Sequence, residues 1–317
     1  MEKRELGNSG IKTAPLVFGG NVFGWTVKGN DNALLLDAFL DSGFNTVDTA
    51  DAYSAWVPGN TGGESETEIG KWLKQSGKRD KVIIATKVGA ELGPGKKGLK
   101  KDYIIKAAED SLTRLQTDYI DLYQSHYDDA STPVEETLKA YDQLIKDGKV
   151  RTIGASNFSV ERLHESLKAS REKSLPAYQV LQPEYNLFDR EKYETTFEPF
   201  IKEQNIGVIS YFSLASGFLS GKYRSAADLE GSNRAGMVKN YLTERGFRIL
   251  KALDEIAAQC NSNPSAVALA WLIARPGITA PIVSATSLSQ LHELTQAATL
   301  KLSNETIEAL NAASAYE

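Results

Sequence analysis

The sequence predicts a (β/α)8 TIM barrel entered through an N-terminal β-hairpin, and three observations lead there. Eight short runs rich in β-branched or aromatic residues alternate with longer helical patterns along one chain of 317 residues. Such alternation implies a parallel sheet, and eight is the strand number that closes a barrel. No Pro/Ser-rich linker, low-complexity tract or strict repeat divides the chain, so a single domain over residues 1–317 is expected.

Taken in order, KRELGNSGIKT (3–13) reads as a hairpin turning through Gly7, Asn8, Ser9 and Gly10. The barrel strands follow at 14–19, 44–49, 81–87, 119–126, 149–156, 178–184, 206–212 and 280–285. Between the first two, Asp31 opens a helical run of Leu34, Leu35, Ala38 and Phe39 that stops at Gly43. Ser65 with Glu68, Thr132 with Glu135, and Ser287 with Gln290 have the spacing of capping boxes, where each side chain satisfies the other's free backbone N–H. Pro133 and Pro264 suit the first turn of a helix, where the missing N–H costs nothing.

Bulk properties narrow the function. A net charge of −5 argues against nucleic acid as a partner. The single cysteine, Cys260, excludes an intrachain disulfide framework and a multi-thiolate zinc site. Metal chemistry is not expected, because no HxH or HExxH spacing supplies ligands. The N-terminus has no apolar leader core, and no apolar run approaches the ~18 residues of a membrane span. No membrane is expected, and a reducing cytoplasm is the default location. Oligomeric state is not legible, because helices that cover a barrel look alike whether or not they meet a partner.

Catalytic groups of such barrels lie at the C-terminal ends of strands and in the loops that follow. Reading the polar residue at each strand end gives Asp48 with nearby Tyr53, then Lys87, then His126, on three adjacent strands. A lone tyrosine or strand-end lysine is more often packing or surface. Four such residues at one barrel mouth are a chemical set. A tyrosine with its ordinary pKa near ~10 is a poor acid at neutral pH, and an adjacent ammonium is expected to lower that value. Asp48 supplies the counter-charge that a buried lysine requires, and His126 supplies a donor able to orient and polarise a carbonyl oxygen. None of the four is a strong nucleophile, so the group points to proton transfer rather than covalent catalysis. His164 and His292 lie in helical patterns and read as surface residues.

These residues resemble those of the aldo-keto reductases. GFNTVDTADAY (43–53) is similar to the family's first signature, with its aspartate at Asp48 and its proton-donating tyrosine at Tyr53. IATKVG (84–89) matches the segment of the catalytic lysine, and DLYQSHYDD (121–129) that of the catalytic histidine. KVRTIGASNF (149–158), LQPEYNLFDR (181–190) and VSATSLSQLHE (283–293) extend the resemblance over nearly the whole chain.

The resemblance implies a nicotinamide cofactor held without a Rossmann fold, and no GxGxxG follows any strand. AELGPGKKG (90–98) lacks the P-loop's first Gly and final Ser/Thr and reads as a flexible, basic loop. By resemblance, Ser156, Asn157 and Gln182 hold the carboxamide, and Tyr211 stacks on the nicotinamide ring. Gly19, Gly20 and Asn21 run close to the cofactor. Phe212, Ser213, Leu214, Gly217 and Lys222 belong to the long segment after the seventh strand, which covers the pyrophosphate.

By resemblance, Gln290 and Glu293 match positions that line the adenosine site, while Ser284, Thr286 and Ser287 offer hydrogen bonds to a phosphate beside the start of the following helix. NADP-preferring relatives often place Arg or Lys there, and residues 284–293 contain neither; Leu294 stands where many relatives have Asn. Lys222 and Arg224 are the alternative sources of charge, and NADP (NADPH) is expected, with NAD possible. The implied activity is reduction of aldehydes or ketones to alcohols on a small-molecule carbonyl substrate. Trp25 and Trp56 are candidate linings of an apolar pocket. The absence of an extended tail after Glu317 points to an open site and broad aldehyde reduction. A second reading stays open: a nicotinamide-binding regulatory or redox-sensing subunit with little turnover, like the potassium-channel β subunits that share the fold.

Overall fold

In the computed structural model, which describes residues 1–316, the hairpin forms from β1 (Arg4–Glu5) and β2 (Lys12–Thr13). Eight parallel strands follow: β3 (Val17–Gly19), β4 (Thr46–Asp48), β5 (Ile83–Val88), β6 (Ile120–Ser125), β7 (Val150–Ser156), β8 (Val180–Gln182), β9 (Gly207–Ser210) and β10 (Ala280–Val283). They pair in chain order, and β10 returns to β3, with Ile282 opposite Val17, closing the barrel. All eight expected strands are present, most of them trimmed at one or both ends.

Successive side chains on a strand point to opposite faces. Val17, Ala85, Leu122, Val180, Ile209 and Ala280 meet inside the barrel as a small buried cluster. Two residues farther along the same inward rows stand Lys87, Gln124 and Gln182, all buried. An apolar interior is thus capped by a polar layer at the C-terminal mouth.

Leu6 of the hairpin joins the inner cluster and plugs the opposite end. Gly7 adopts φ 57°, and a Cβ there would lie 2.2 Å from the Gln179 carbonyl oxygen, so only glycine lets the plug seat. Thr13 Oγ1 meets Thr46 Oγ1 at 2.6 Å, tying the hairpin to β4.

The outward rows pack beneath the surrounding helices in one large core. Helices Glu64–Ser76 and Lys101–Leu115 approach so closely that a Cβ on Gly70 would lie 2.0 Å from the Arg114 carbonyl oxygen. Among the described residues, no helix is long and apolar enough to cross a membrane.

None of the three expected capping boxes forms in full. Helix Glu64–Ser76 starts after Gly63, which adopts φ 85°, and Ser65 is buried as its second residue rather than at the cap. Its hydroxyl bonds Thr49 Oγ1 at 2.8 Å and the Gly20 carbonyl at 2.7 Å, fastening the helix to two strand ends. Thr132 donates to Asp129 Oδ2 at 2.6 Å, and its helix begins after Pro133, which sits at the cap rather than in the first turn. Ser287 does cap its helix, accepting from the Gln290 N–H, but the Gln290 side chain turns to Thr286. Pro264 occupies the first turn behind an Asn263 cap, as expected.

Candidate active site

Lys87 comes from the middle of the inward polar layer and is fully buried. Its ammonium has three acceptors: Asp48 Oδ2 at 2.6 Å, the Thr49 carbonyl at 2.8 Å and Tyr53 Oη at 2.8 Å. Three N–H donors meet three acceptors, the arrangement that supports a buried cation. Burial pulls the Lys87 pKa below its usual range, and the Asp48 charge opposes that pull.

Asp48 is itself saturated. Besides Lys87, its Oδ2 accepts from Tyr53 Oη at 3.3 Å, while Oδ1 accepts from Gln182 Nε2 at 2.8 Å and Gln124 Nε2 at 3.3 Å.

Tyr53 sits on the loop after β4, and the loop is locked locally. Ser54 adopts φ 71° and donates to the Phe23 carbonyl at 2.7 Å, while Asn60 Nδ2 bonds the carbonyls of Ser54 and Gly24. The Tyr53 pKa differs from the expected lowering. Burial raises it well above 10, and the charge and hydrogen bond of Asp48 add to the effect. The carboxylate that neutralises Lys87 also faces the phenol, so the resting tyrosine keeps its proton firmly.

His126 lies beside Tyr53, with ring centroids 6.0 Å apart. Burial, and secondarily the Lys87 charge, lower its pKa to about 3, so it is neutral at pH 7. Its Nδ1 is buried without a hydrogen-bond partner among the described residues. The four residues expected at one mouth do converge.

Comparison with known proteins places this arrangement. The profile of the Aldo/keto reductase family matches residues 15–315. The chain belongs to that family. It is 32% identical over 319 residues to the uncharacterized oxidoreductase YrpG of Bacillus subtilis, covering 98% of this chain and 95% of that one. It is 33% identical over 301 residues to a probable voltage-gated potassium channel subunit beta of Arabidopsis thaliana, covering 92% and 90%. It is 31% identical over 312 residues to the L-glyceraldehyde 3-phosphate reductase of Escherichia coli, covering 94% and 87%. Aldo/keto reductase membership carries a general oxidoreductase role and the family's use of NAD(P)H.

The residues that family resemblance assigns to the cofactor fall into three groups. Ser156, Asn157, Gln182 and Tyr211 form one hydrogen-bonded set. Ser156 Oγ donates to the Gln182 carbonyl at 2.9 Å, Asn157 Nδ2 donates to Ser156 Oγ at 3.1 Å, and Tyr211 Oη donates to Asn157 Oδ1 at 3.0 Å. A second group joins Asn21 and Ser284 at 2.6 Å beside Gly19, with Gly20 in the adjoining turn, and Thr286 with Gln290 at 2.9 Å. Glu293 stands exposed farther along the same helix.

The third group is the segment after β9. Ser213 Oγ bonds the Ser210 carbonyl at 3.1 Å, and Leu214 precedes a short helical turn, Ala215–Ser220, which contains Gly217. Phe212, Ala215 and Ser216 have φ of 52°, 49° and 57°. Three non-glycine residues in the left-handed region within five positions store strain, a feature that clusters at ligand clamps. Lys222 is exposed, its Nζ 4.9 Å from the Tyr223 ring centroid. Arg224 is committed elsewhere: both terminal nitrogens bond Asp254 at 2.8 Å.

Two neighbours of the site were missed by the sequence reading. Gln124 was legible in principle, because it lies two residues beyond the inward Leu122. Arg234 was not. Its half-buried guanidinium lies 5.8 Å from the Trp25 ring centroid and pairs with no carboxylate among the described residues. Trp25 in turn packs on Trp56 and Trp56 on Tyr53, with centroids 5.6 and 6.1 Å apart. Trp56, Tyr127 and Phe212 are about half exposed around this mouth.

Proposed function

We propose that the protein reduces aldehydes or ketones to alcohols, with NADPH as hydride donor and Tyr53 as general acid. The reading rests above all on the Lys87 ammonium bridging Asp48 and Tyr53 at 2.6 and 2.8 Å. The donor set around Tyr211 fits a nicotinamide: Ser156, Asn157 and Gln182 offer both donors and acceptors, as a carboxamide requires. When bound, the cofactor supplies a hydride to the carbonyl carbon.

The chain's own residues handle the proton. His126, neutral at pH 7, orients and polarises the carbonyl oxygen by hydrogen bonding and is too weakly basic to be the acid. Tyr53 gives its proton to the developing alkoxide, a much stronger base than phenolate, so its raised pKa does not prevent the transfer. Lys87 stabilises the phenolate left behind, and Asp48 holds Lys87 in place.

Arg234 and Lys222 supply positive charge for the cofactor's phosphates, a role from which Asp254 withdraws Arg224. The aromatic rim of Trp25, Trp56, Tyr127 and Phe212 favours substrates with a flat apolar group beside the carbonyl.

The test is Tyr53→Phe assayed with 4-nitrobenzaldehyde, with NADPH binding followed by tryptophan quenching. Turnover should fall by about 10²- to 10⁴-fold while cofactor affinity holds. Turnover near the wild-type rate would remove Tyr53 from the role. Cofactor binding by the wild type without turnover of any carbonyl would favour the regulatory-subunit reading instead.

A further inference from the structure

On the loop after β4, between Asp48 and Tyr53 in the chain, lies a second buried carboxylate that the proposed mechanism does not use. Asp51 is 3% exposed, and its backbone N–H donates to the Lys87 carbonyl at 3.2 Å. Its Oδ1 is buried with no hydrogen-bond partner among the described residues. From helix Glu64–Ser76 comes Glu66, also fully buried, which accepts from Thr86 Oγ1 at 2.5 Å and from Arg114 Nε at 2.7 Å.

Every other element packed there contributes an ionisable neighbour. Helix Lys101–Leu115 brings Arg114 and Tyr103, β5 brings Lys87, β6 brings Tyr123, and helix Val134–Lys146 brings Tyr141. Tyr123 Oη is a second buried polar atom without a partner among the described residues.

A charge count follows from these contacts. Among the described residues, ionised Asp48, Asp51 and Glu66 would have Lys87 and Arg114 as their neighbouring cations, leaving one buried negative charge uncompensated. An unpaired buried carboxylate escapes that cost by taking a proton. Asp51 is the member to do so, because Asp48 is saturated with donors and Glu66 holds Arg114.

We propose that Asp51 is a positioning residue for the Lys87–Tyr53 pair: neutral, it leaves the Lys87 charge directed at Tyr53, and ionised, it draws that charge away and slows proton delivery. Burial first, then the Glu66 charge, pushes the Asp51 pKa up to about 8, against the opposing pull of Arg114. The residue therefore changes charge just above neutral pH, next to the lysine on which the acid depends.

The inference rests on the reductase reading, and the experiment separates the two. The pH profile of kcat from pH 6 to 10 is measured with saturating NADPH and 4-nitrobenzaldehyde for the wild type, Asp51→Asn and Glu66→Gln. The wild type should lose rate as pH rises through about 8. Asp51→Asn should lose that limb, so that its kcat at pH 9, relative to its own value at pH 7, exceeds the wild type's ratio by about tenfold. Glu66→Gln removes a repelling charge and frees Arg114, so the limb should move to lower pH. A purely structural role would produce neither shift. A wild-type profile flat through pH 8, an Asp51→Asn limb that coincides with the wild type's, or an unmoved limb in Glu66→Gln overturns the proposal alone. No turnover by the wild type at any pH defeats the reductase reading and this inference with it.

Discussion

Replacing Asp48 with Asn tests the electrostatics of the site without any assumption about substrate. The substitution keeps the shape of the side chain and removes the only carboxylate among the described residues within ion-pairing reach of Lys87 Nζ, leaving the ammonium fully buried. Breaking a buried pair on one side costs about 3–5 kcal/mol. The structure sets an independent ceiling, because Lys87 can relieve the strain by losing its proton. From an ordinary pKa near 10.5, that relief at pH 7 costs about 5 kcal/mol, and burial has already reduced it. The two limits agree on a loss of roughly 3–5 kcal/mol at pH 7.

The sign of the pH dependence follows from linkage. The unfolded mutant holds a proton on Lys87 up to about pH 10, while the folded mutant releases it at lower pH. Folding therefore releases a proton, and the stability of the mutant relative to wild type rises with pH. At pH 9 the same ceiling falls to about 2 kcal/mol. Urea denaturation of wild type and Asp48→Asn at pH 7 and pH 9 measures both quantities. Lys87→Met, which leaves Asp48 with Gln124, Gln182 and Tyr53 as donors, should cost less than Asp48→Asn. A loss below about 1 kcal/mol at pH 7, or the same loss at both pH values, would refute the buried-cation account.

Three further outcomes are expected. Gly70→Ala should destabilise by about 1–3 kcal/mol in thermal or urea unfolding, since its new methyl would lie 2.0 Å from the Arg114 carbonyl and two helices must separate. Arg234→Ala should weaken NADPH binding more than NADH binding in tryptophan-quenching titrations, and equal weakening would place its charge away from the 2′-phosphate. Asp51 holds its proton up to about pH 8 when folded but only to about pH 4 when unfolded, so the stability it contributes at low pH is lost across that window. Asp51→Asn should flatten the decline, by up to about 1.4 kcal/mol per pH unit, in urea unfolding followed from pH 4 to pH 8.

Local signals in the chain proved dependable where the physics is local. Short runs rich in β-branched or aromatic residues located all eight barrel strands, and Pro264 marked the first turn of a helix. Strand-end reading located Asp48, Lys87 and His126, because a parallel barrel sends the C-terminal ends of all its strands to one face. Ser65 and Thr132 show the limit of such signals. Both have the spacing of a cap, yet one is claimed by Thr49 and Gly20, the other by Asp129. A hydroxyl bonds the nearest good partner, and spacing within a helix does not reveal partners from another strand.

What the sequence by itself determined is the order of elements, the closed barrel and the identity of the four residues at its mouth. The tertiary structure alone decided their electrostatic state. Lys87 was expected to make Tyr53 more acidic, but Asp48 sits against the same phenol and burial adds its own penalty, so the proton is held more tightly. It likewise decided that Arg224 turns to Asp254 while Arg234, near Trp25, pairs with no carboxylate among the described residues, and that buried Asp51 feels the charges of Glu66 and Lys87. Periodicity along a chain is set by backbone geometry, residue by residue. Protonation and charge pairing are set by desolvation and by neighbours from distant segments, which only folding brings together.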